Sequence, residues 1–277
     1  MRSYVPDFEM VVATNLSDAL GRLACGFQPF AGGTDLMVVF NAGKLRSVPL
    51  VSIRKLPELR AISVEHDFIE IGAAVTYSEI RNHRQLAEEF PLLAQSASWT
   101  GSIANQNRGT LGGNIANASP AADSSPVLLV YEAELKLVSQ SGERWMLYSQ
   151  FHLGYKSLAL QKGELIASIR LPRAHLVSQY GRKVGTRRAM AISKVAFAAT
   201  VKEGAFRIAV GSVAPIPVRC WKTEEVLGGE RVTPAVIEKA QAIIAEEISP
   251  ITDIRSTRDY RLAVTKNLLG EFLETLL

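Results

Sequence analysis

The sequence has few of the residues that bind metals or form disulfides. It contains two cysteines, Cys25 and Cys220, which lie far apart in the chain, and four scattered histidines. Two thiols cannot supply the four thiolate ligands of an iron–sulfur cluster. Neither residue type shows the close spacing that is typical of a zinc site. The sequence therefore predicts no metal site.

Long hydrophobic runs and tracts of one charge are also missing. No stretch reaches the roughly 18 apolar residues that a membrane-spanning helix needs, and the first ten residues lack the apolar core of a secretory signal. The net charge is only +4, and the densest basic run, residues 182–188, suits a solvated turn as well as a phosphate site. We expect a cytoplasmic protein that neither enters a membrane nor binds nucleic acid.

Familiar nucleotide and hydrolase signatures are absent as well. The sequence has no G-x-x-x-x-G-K-[ST] motif, no G-x-G-x-x-G after its first expected strand and no G-x-S-x-G elbow. A P-loop fold, a Rossmann fold and an α/β-hydrolase are therefore disfavoured.

What remains is a chain of 277 residues with an ordinary globular composition, 47% hydrophobic and 21% charged. In its first region, residues 14–26 have apolar positions at helical spacing, with Asn15 to cap the helix and Gly26 to end it. A strand is expected at 27–31, a helix within 32–43 and a strand at 48–53. These elements indicate a small βαβ-like unit.

The middle region shows hairpins around residues 65–67 and around Ser141 and Gly142, and a strand over 163–172. A helix is expected over 91–106, with Pro91 in its first turn. Residues 108–129 follow neither helical nor strand periodicity, so we expect a loop there. A long structureless loop in a compact domain is usually a functional one.

The last region has two expected strands, 194–204 and 205–213, joined at Gly204. Two helices close the chain. The first, over 233–248, has Thr233 as its cap, and the second, over 256–277, has Ser256 and Asp259 as a capping pair. The fold class predicted for the whole chain is α+β.

Two glycine turns carry the main functional signal. Residues 31–36 read AGGTDL and residues 109–114 read GTLGGN. Consecutive glycines let the backbone approach a ligand closely, and exposed amides can then form a concave anion site. Thr34 and Thr110 add hydroxyl groups, and the second loop adds Asn114, Ser119 and Asp123. Two such turns predict a clamp for a pyrophosphate.

The segments 31–37, 109–128 and 211–219 together resemble the FAD-binding medium subunit of the molybdenum hydroxylases, the family of xanthine dehydrogenase and aerobic carbon monoxide dehydrogenase. The resemblance covers nearly the whole chain. It implies a vanillyl-alcohol-oxidase-type FAD-binding domain of two α/β lobes, residues 1–53 and 54–171, followed by a C-terminal α+β domain, residues 172–277. The cofactor it implies is FAD.

The resemblance also implies which residues bind FAD. Asp123 matches an acid that contacts the adenosine half, Ile166 an apolar residue near the flavin or adenine, and Lys183 a lysine near the isoalloxazine ring. The two pyrophosphate turns match Ala31, Gly32, Gly33, Thr34, Asp35 and Leu36, and Gly109, Thr110, Leu111, Gly112, Gly113 and Asn114.

Three of these positions have simpler interpretations when they are taken alone. Asp123 precedes two serines and a proline and suits a helix cap, Ile166 suits a core position, and Lys183 suits the solvated surface.

The function implied by the resemblance is electron transfer. Electrons would pass from iron–sulfur clusters of a partner through FAD to NAD⁺ or another acceptor, so no acid–base catalyst is expected. The implied partners are a molybdopterin-binding large subunit and a [2Fe–2S] small subunit. One alternative is a stand-alone flavin-dependent oxidoreductase of the same fold, and another is a non-enzymatic nucleotide-binding or scaffold protein.

Overall fold

The computed structural model describes residues 8–44, 48–229 and 231–277. The first expected lobe therefore includes two segments, 1–7 and 45–47, that lie outside the described residues. Its strands form a parallel sheet in the order β1-β3-β2. The elements of this region are β1 (Met10–Val12), α1 (Leu16–Ala24), β2 (Gln28–Phe30), α2 (Leu36–Asn41) and β3 (Leu50–Ser52).

Local sequence explains most of this first unit. The Asn15 side chain caps α1 by accepting a hydrogen bond from the Asp18 amide at 2.8 Å. Gly26 ends the helix with a positive φ of 93°. The predicted cap, the predicted stop and the βαβ-like arrangement are confirmed. Strand β1 was not predicted from the sequence.

The middle region forms a five-stranded antiparallel sheet in the order β4-β5-β10-β6-β7, with helices packed on one face. Its elements are β4 (Ile62–Val64), β5 (Phe68–Gly72), α3 (Tyr77–Asn82), α4 (Arg84–Glu89), α5 (Pro91–Trp99), α6 (Ile103–Gln106), α7 (Leu111–Asn117), α8 (Ser125–Val130), β6 (Glu134–Ser139), β7 (Gly142–Leu147), β8 (His152–Gly154), β9 (Ser157–Leu158) and β10 (Leu165–Pro172).

Both predicted hairpins of this region, β4–β5 and β6–β7, are confirmed, but two other predictions were wrong. The helix expected over 91–106 is interrupted, because Gly101 adopts a φ of 60° between α5 and α6. The loop expected over 108–129 contains the short helices α7 and α8. Thr110 caps α7 through its side-chain oxygen, which accepts from the Gly113 amide at 3.1 Å.

The last region folds as a four-stranded antiparallel sheet covered by helices. Its elements are β11 (Ser178–Val184), β12 (Val195–Lys202), β13 (Ala205–Gly211), β14 (Val218–Arg219), α9 (Trp221–Gly228), α10 (Pro234–Glu247) and α11 (Arg258–Glu274). Thr233 caps α10 as predicted. The predicted capping pair of α11 is wrong, because Thr257, not Ser256, accepts a hydrogen bond from the Tyr260 amide at 3.2 Å.

Three hydrophobic clusters form the interior of the part of the chain that the structure describes. One joins α1 and β3 to residues of β6 and β10, a second fills the space between the five-stranded sheet and its helices, and a third lies under α10 and α11. The first cluster therefore crosses the expected boundary at residue 53, and the three-way division stays a prediction. Among the described residues, no helix is both long enough and apolar enough to cross a membrane.

Candidate functional site

The structure brings the two glycine turns together. The first turn, residues 31–36, links β2 to α2, and the second turn, residues 109–114, leads into α7. A β-carbon at Gly32 would collide with the carbonyl group of Arg108, just before the second turn. The Asn117 side-chain amide donates to Asp35 Oδ1 at 3.2 Å. Segments about 80 residues apart in sequence thus form one surface.

The first turn holds a run of unpaired backbone donors. Gly33 has a φ of 75°, which turns successive amides toward the same side. Within the described part of the chain, five consecutive amides donate no hydrogen bond to the protein: those of Gly32, Gly33, Thr34, Asp35 and Leu36. Backbone amides are rarely left unpaired, particularly when buried, as Gly32 is. Such a run is suited to a bound anion.

The second turn differs, because most of its amides are engaged within the protein. The carbonyl oxygens of neighbouring elements accept from Gly109, Leu111 and Gly112, and Thr110 accepts from Gly113 and Asn114. Among the described residues, only the amide of Thr110 itself donates no hydrogen bond in this turn. The engaged donors are therefore not free to wrap a phosphate. The second turn can instead contribute shape and side chains.

One glycine of the second turn stands apart from its neighbours. Gly112 is buried, and a β-carbon there would lie 2.5 Å from that of Ala73. Gly109 is also buried, and a β-carbon there would lie 3.0 Å from the Asn105 carbonyl oxygen. Gly113 is exposed, and a β-carbon there would meet only the Thr110 hydroxyl, at 2.8 Å. Close packing between elements accounts for the first two glycines but not for Gly113.

Asp123 and Lys183 form a buried ion pair close to the second turn. Lys183 Nζ donates to Asp123 Oδ2 at 2.6 Å and to the Trp99 carbonyl oxygen at 2.9 Å. The two side chains are only 9% and 8% exposed. Ser193 Oγ donates to the other carboxylate oxygen, Oδ1, at 2.5 Å. The neighbouring Ser124 donates to Asn114 Oδ1 at 2.8 Å, which connects the pair to the second turn.

The simpler interpretations of Asp123 and Lys183 are therefore wrong. The cap position of α8 is Ser124, without a side-chain capping bond, and Asp123 is directed to Lys183 instead. Lys183 is not a solvated surface residue. The resemblance assigns these two touching side chains to different halves of FAD, and both assignments stay predictions.

Burial governs the electrostatics of this cluster. Desolvation raises the pKa of Asp123 above its usual value, and the charge and hydrogen bond of Lys183 and the hydroxyl of Ser193 oppose that rise. Tyr77 is also buried, and desolvation raises its pKa, so it stays neutral. The Tyr77 hydroxyl has no hydrogen-bond partner among the described residues.

Two of the expected binding residues lie in the hydrophobic interior. Ile166 is 4% exposed on β10, and Leu111 is fully buried at the start of α7. The interpretation of Ile166 as a core residue agrees with this position, and its contact with a cofactor stays a prediction.

Sequence reasoning missed Ser193, the Trp99 carbonyl group and Asn117. Ser193 lies 70 residues from the carboxylate it binds. No local periodicity relates residues at such separations, so no signal in a single sequence pointed to these contacts.

Comparisons with known proteins identify the family of this chain. A family model described as the FAD binding domain in molybdopterin dehydrogenase matches residues 6–174, and one described as the CO dehydrogenase flavoprotein C-terminal domain matches residues 181–276. The chain is 30% identical over 274 residues to the xanthine dehydrogenase FAD-binding subunit of Escherichia coli O157:H7, with 94% of each chain covered.

Two further proteins extend the comparison. The glyceraldehyde dehydrogenase medium chain of Sulfolobus acidocaldarius is 29% identical over 272 residues, with 96% of each chain covered. A solved carbon monoxide dehydrogenase from Hydrogenophaga pseudoflava superposes with a TM-score of 0.92 at 25% identity, covering 99% of this chain and 98% of that one.

The cofactor expected from the sequence fits the run of free amides in the first turn, and the first family model alone spans more than half of the chain. The protein belongs to the molybdopterin dehydrogenase FAD-binding family, as the FAD-binding subunit of a molybdenum hydroxylase of the xanthine dehydrogenase and carbon monoxide dehydrogenase type, and is an oxidoreductase.

Proposed function

We propose that this chain passes electrons from the iron–sulfur clusters of a partner subunit, through FAD, to NAD⁺ or another acceptor. Its partners would be a molybdopterin-binding large subunit and a [2Fe–2S] small subunit. The names of its relatives support this, since they include medium chains of glyceraldehyde and carbon monoxide dehydrogenases. The chain has only two cysteines, one exposed and one buried, which are too few to ligate such a cluster.

The observation that carries the proposal is the row of unpaired amides in the first turn. Five consecutive unpaired donors suit the pyrophosphate of a dinucleotide, an anion that accepts hydrogen bonds from backbone amides. The bare surface of Gly113 would let the pyrophosphate approach from the opposite side. Bound FAD would supply the redox chemistry, and the residues of this chain would orient it and set the charge around it.

Lys183 would set that charge beside the isoalloxazine ring. A cation there stabilises negative charge on a reduced flavin. Asp123 and the Trp99 carbonyl group hold the ammonium in place. We therefore propose that Asp123 acts through Lys183 and not as a ribose ligand, since its carboxylate is 8% exposed and already bound on both oxygens.

The proposal includes the three-part arrangement expected from the resemblance. Two lobes of the vanillyl-alcohol-oxidase type, residues 1–53 and 54–171, would hold FAD, and residues 172–277 would close the site with Lys183. The contact between the two turns and the Asp123–Lys183 pair support it, because both join different regions of the chain.

Co-purification tests the partnership. Expressed with the molybdopterin and [2Fe–2S] subunits of its own source, the tagged chain should recover a stable complex with molybdenum and iron, as measured by elemental analysis. Alone, it should aggregate as its concentration rises, because apolar side chains such as Val38 and Ile103 are 66% and 56% exposed. A well-behaved monomer that turns over a substrate unaided would contradict the proposal.

A further inference from the structure

Ser193 holds the Asp123 carboxylate from the side opposite Lys183. Its hydroxyl donates to Oδ1 at 2.5 Å, while Lys183 donates to Oδ2 at 2.6 Å. Ser193 is 1% exposed, so water does not compete for this bond. Lys183 and Ser193 stand at the two ends of the segment that connects β11 to β12. The Asp123 carboxylate is thus hydrogen-bonded to both ends of that segment.

We infer that Ser193 is a positioning residue for FAD, which acts by keeping Asp123 ionised and thereby keeping Lys183 in place. This inference rests on the proposed position of Lys183 beside the flavin. Ser193 itself need not touch the cofactor.

The physical argument concerns the proton affinity of Asp123. Burial disfavours its charged form, and the Ser193 hydroxyl and Lys183 favour that form. Among the described residues, Tyr77 also interacts with the carboxylate, and it stays neutral because burial raises its pKa. Loss of the Ser193 hydroxyl removes one of the two stabilising partners. Asp123 then binds a proton at a higher pH, and a protonated Asp123 leaves the buried ammonium of Lys183 without a counter-charge.

The effect of Ser193 on FAD binding depends on pH. The carboxylate is the working form, so FAD binding weakens as the pH falls through the pKa of Asp123. Ser193→Ala raises that pKa further, so the weakening begins at a higher pH. A shift of about one pH unit corresponds to a tenfold gain in proton affinity, the size expected when one hydrogen bond to a charged group is lost.

The chain offers a matched control at Ser168. Its hydroxyl donates to Glu70 Oε1 at 2.6 Å, and the same carboxylate accepts from Arg170 at 3.3 Å. This serine, carboxylate and cation repeat the arrangement of Ser193, Asp123 and Lys183. They lie on the five-stranded sheet and include none of the residues proposed to bind FAD.

The experiment measures the FAD dissociation constant of the assembled complex between pH 5 and 9, from the fluorescence of FAD released on dialysis. Ser193→Ala should move the acid limb of this profile to higher pH by about one unit. Ser193→Thr, which keeps the hydroxyl, should restore the wild-type limb, and Ser168→Ala should leave it unchanged. Should Ser193→Ala not assemble, Ser193→Cys, a weaker donor of similar size, should give a smaller shift in the same direction.

Two results distinguish failure of the inference about Ser193 from failure of the proposed position of Lys183. If Ser193→Ala raises the dissociation constant equally at every pH, Ser193 is only structural, and the inference is overturned while the proposed function stands. Asp123→Asn should abolish the acid limb. If Asp123→Asn keeps that limb unchanged, the ionisation of Asp123 does not affect FAD binding. The proposed position of Lys183 beside the flavin is then wrong, and so is the inference.

Discussion

The Asp123 carboxylate lies in a place where an unpaired charge would be strongly disfavoured. It is almost fully buried, and within the described ranges only Lys183 and Ser193 balance its desolvation. The sequence suggested that Asp123 and Lys183 matter, through the resemblance, but not that they touch. Their pairing depends on a strand 60 residues further along the chain. Local reasoning cannot supply such a contact.

Removal of one partner of this pair should therefore destabilise the protein more than loss of an ordinary hydrogen bond. We expect Asp123→Ala to lower the free energy of unfolding by about 3–5 kcal/mol, because Lys183 is left as a buried cation. The double variant Asp123→Ala/Lys183→Met should recover most of that loss. The measurement is urea unfolding of each variant followed by circular dichroism.

An exposed ion pair provides a control for the Asp123 and Lys183 variants. Lys136 Nζ lies 2.8 Å from Glu143 Oε2, with the glutamate side chain 57% exposed. Glu143→Ala should change the free energy of unfolding by less than about 1 kcal/mol. If Asp123→Ala is as mild as Glu143→Ala, or if the double variant recovers nothing, the pair does not have the energetic role assigned to it.

Among the helices and strands, the sequence predicted those that local residues stabilise and missed those that depend on contacts between distant parts of the chain. The β4–β5 and β6–β7 hairpins and the helix α10 were predicted because their turn and cap residues are local. Helices α7 and α8 were not predicted, because they are short and rich in glycine, serine and proline. Tertiary contacts fix them, among them the Gly112 amide donating to the Ala73 carbonyl oxygen at 2.9 Å.

The N-terminus of α11 gives a direct test of local capping. Thr257→Ala removes the side chain that accepts from the Tyr260 amide and should lower the free energy of unfolding by about 1 kcal/mol. Ser256→Ala should leave the free energy of unfolding nearly unchanged, since in the described structure the backbone of Ser256 is hydrogen-bonded to Asp253 but its hydroxyl is not hydrogen-bonded. Thermal unfolding of the two variants compares them. If the two variants lose equal free energies of unfolding, Thr257 is not the sole cap of α11 and the assignment is contradicted.

For the whole molecule, the candidate site depends on how three regions of the chain meet. The first region supplies the free amides, the second supplies Gly113 and Asp123, and the third supplies Lys183 and Ser193. Arg261 of α11 braces the third region by donating to the carbonyl oxygens of Lys194 and Ser212 at 2.6 and 3.0 Å. The two turns could be identified from the sequence. Their contact could not, nor could the contrast between free and engaged amides.

The central claim is that FAD lies between the two turns and meets the bare surface of Gly113. The most direct measurement is the FAD content of purified Gly113→Val after dialysis, by absorbance, with circular dichroism to monitor folding. Gly228→Val controls for a valine on an exposed helix surface, where no atom lies within 4 Å of a β-carbon, whereas a β-carbon at Gly113 would also meet the Thr110 hydroxyl that caps α7. We expect Gly113→Val to lose FAD with its secondary structure intact, and Gly228→Val to keep it. Wild-type FAD content in Gly113→Val would contradict the account.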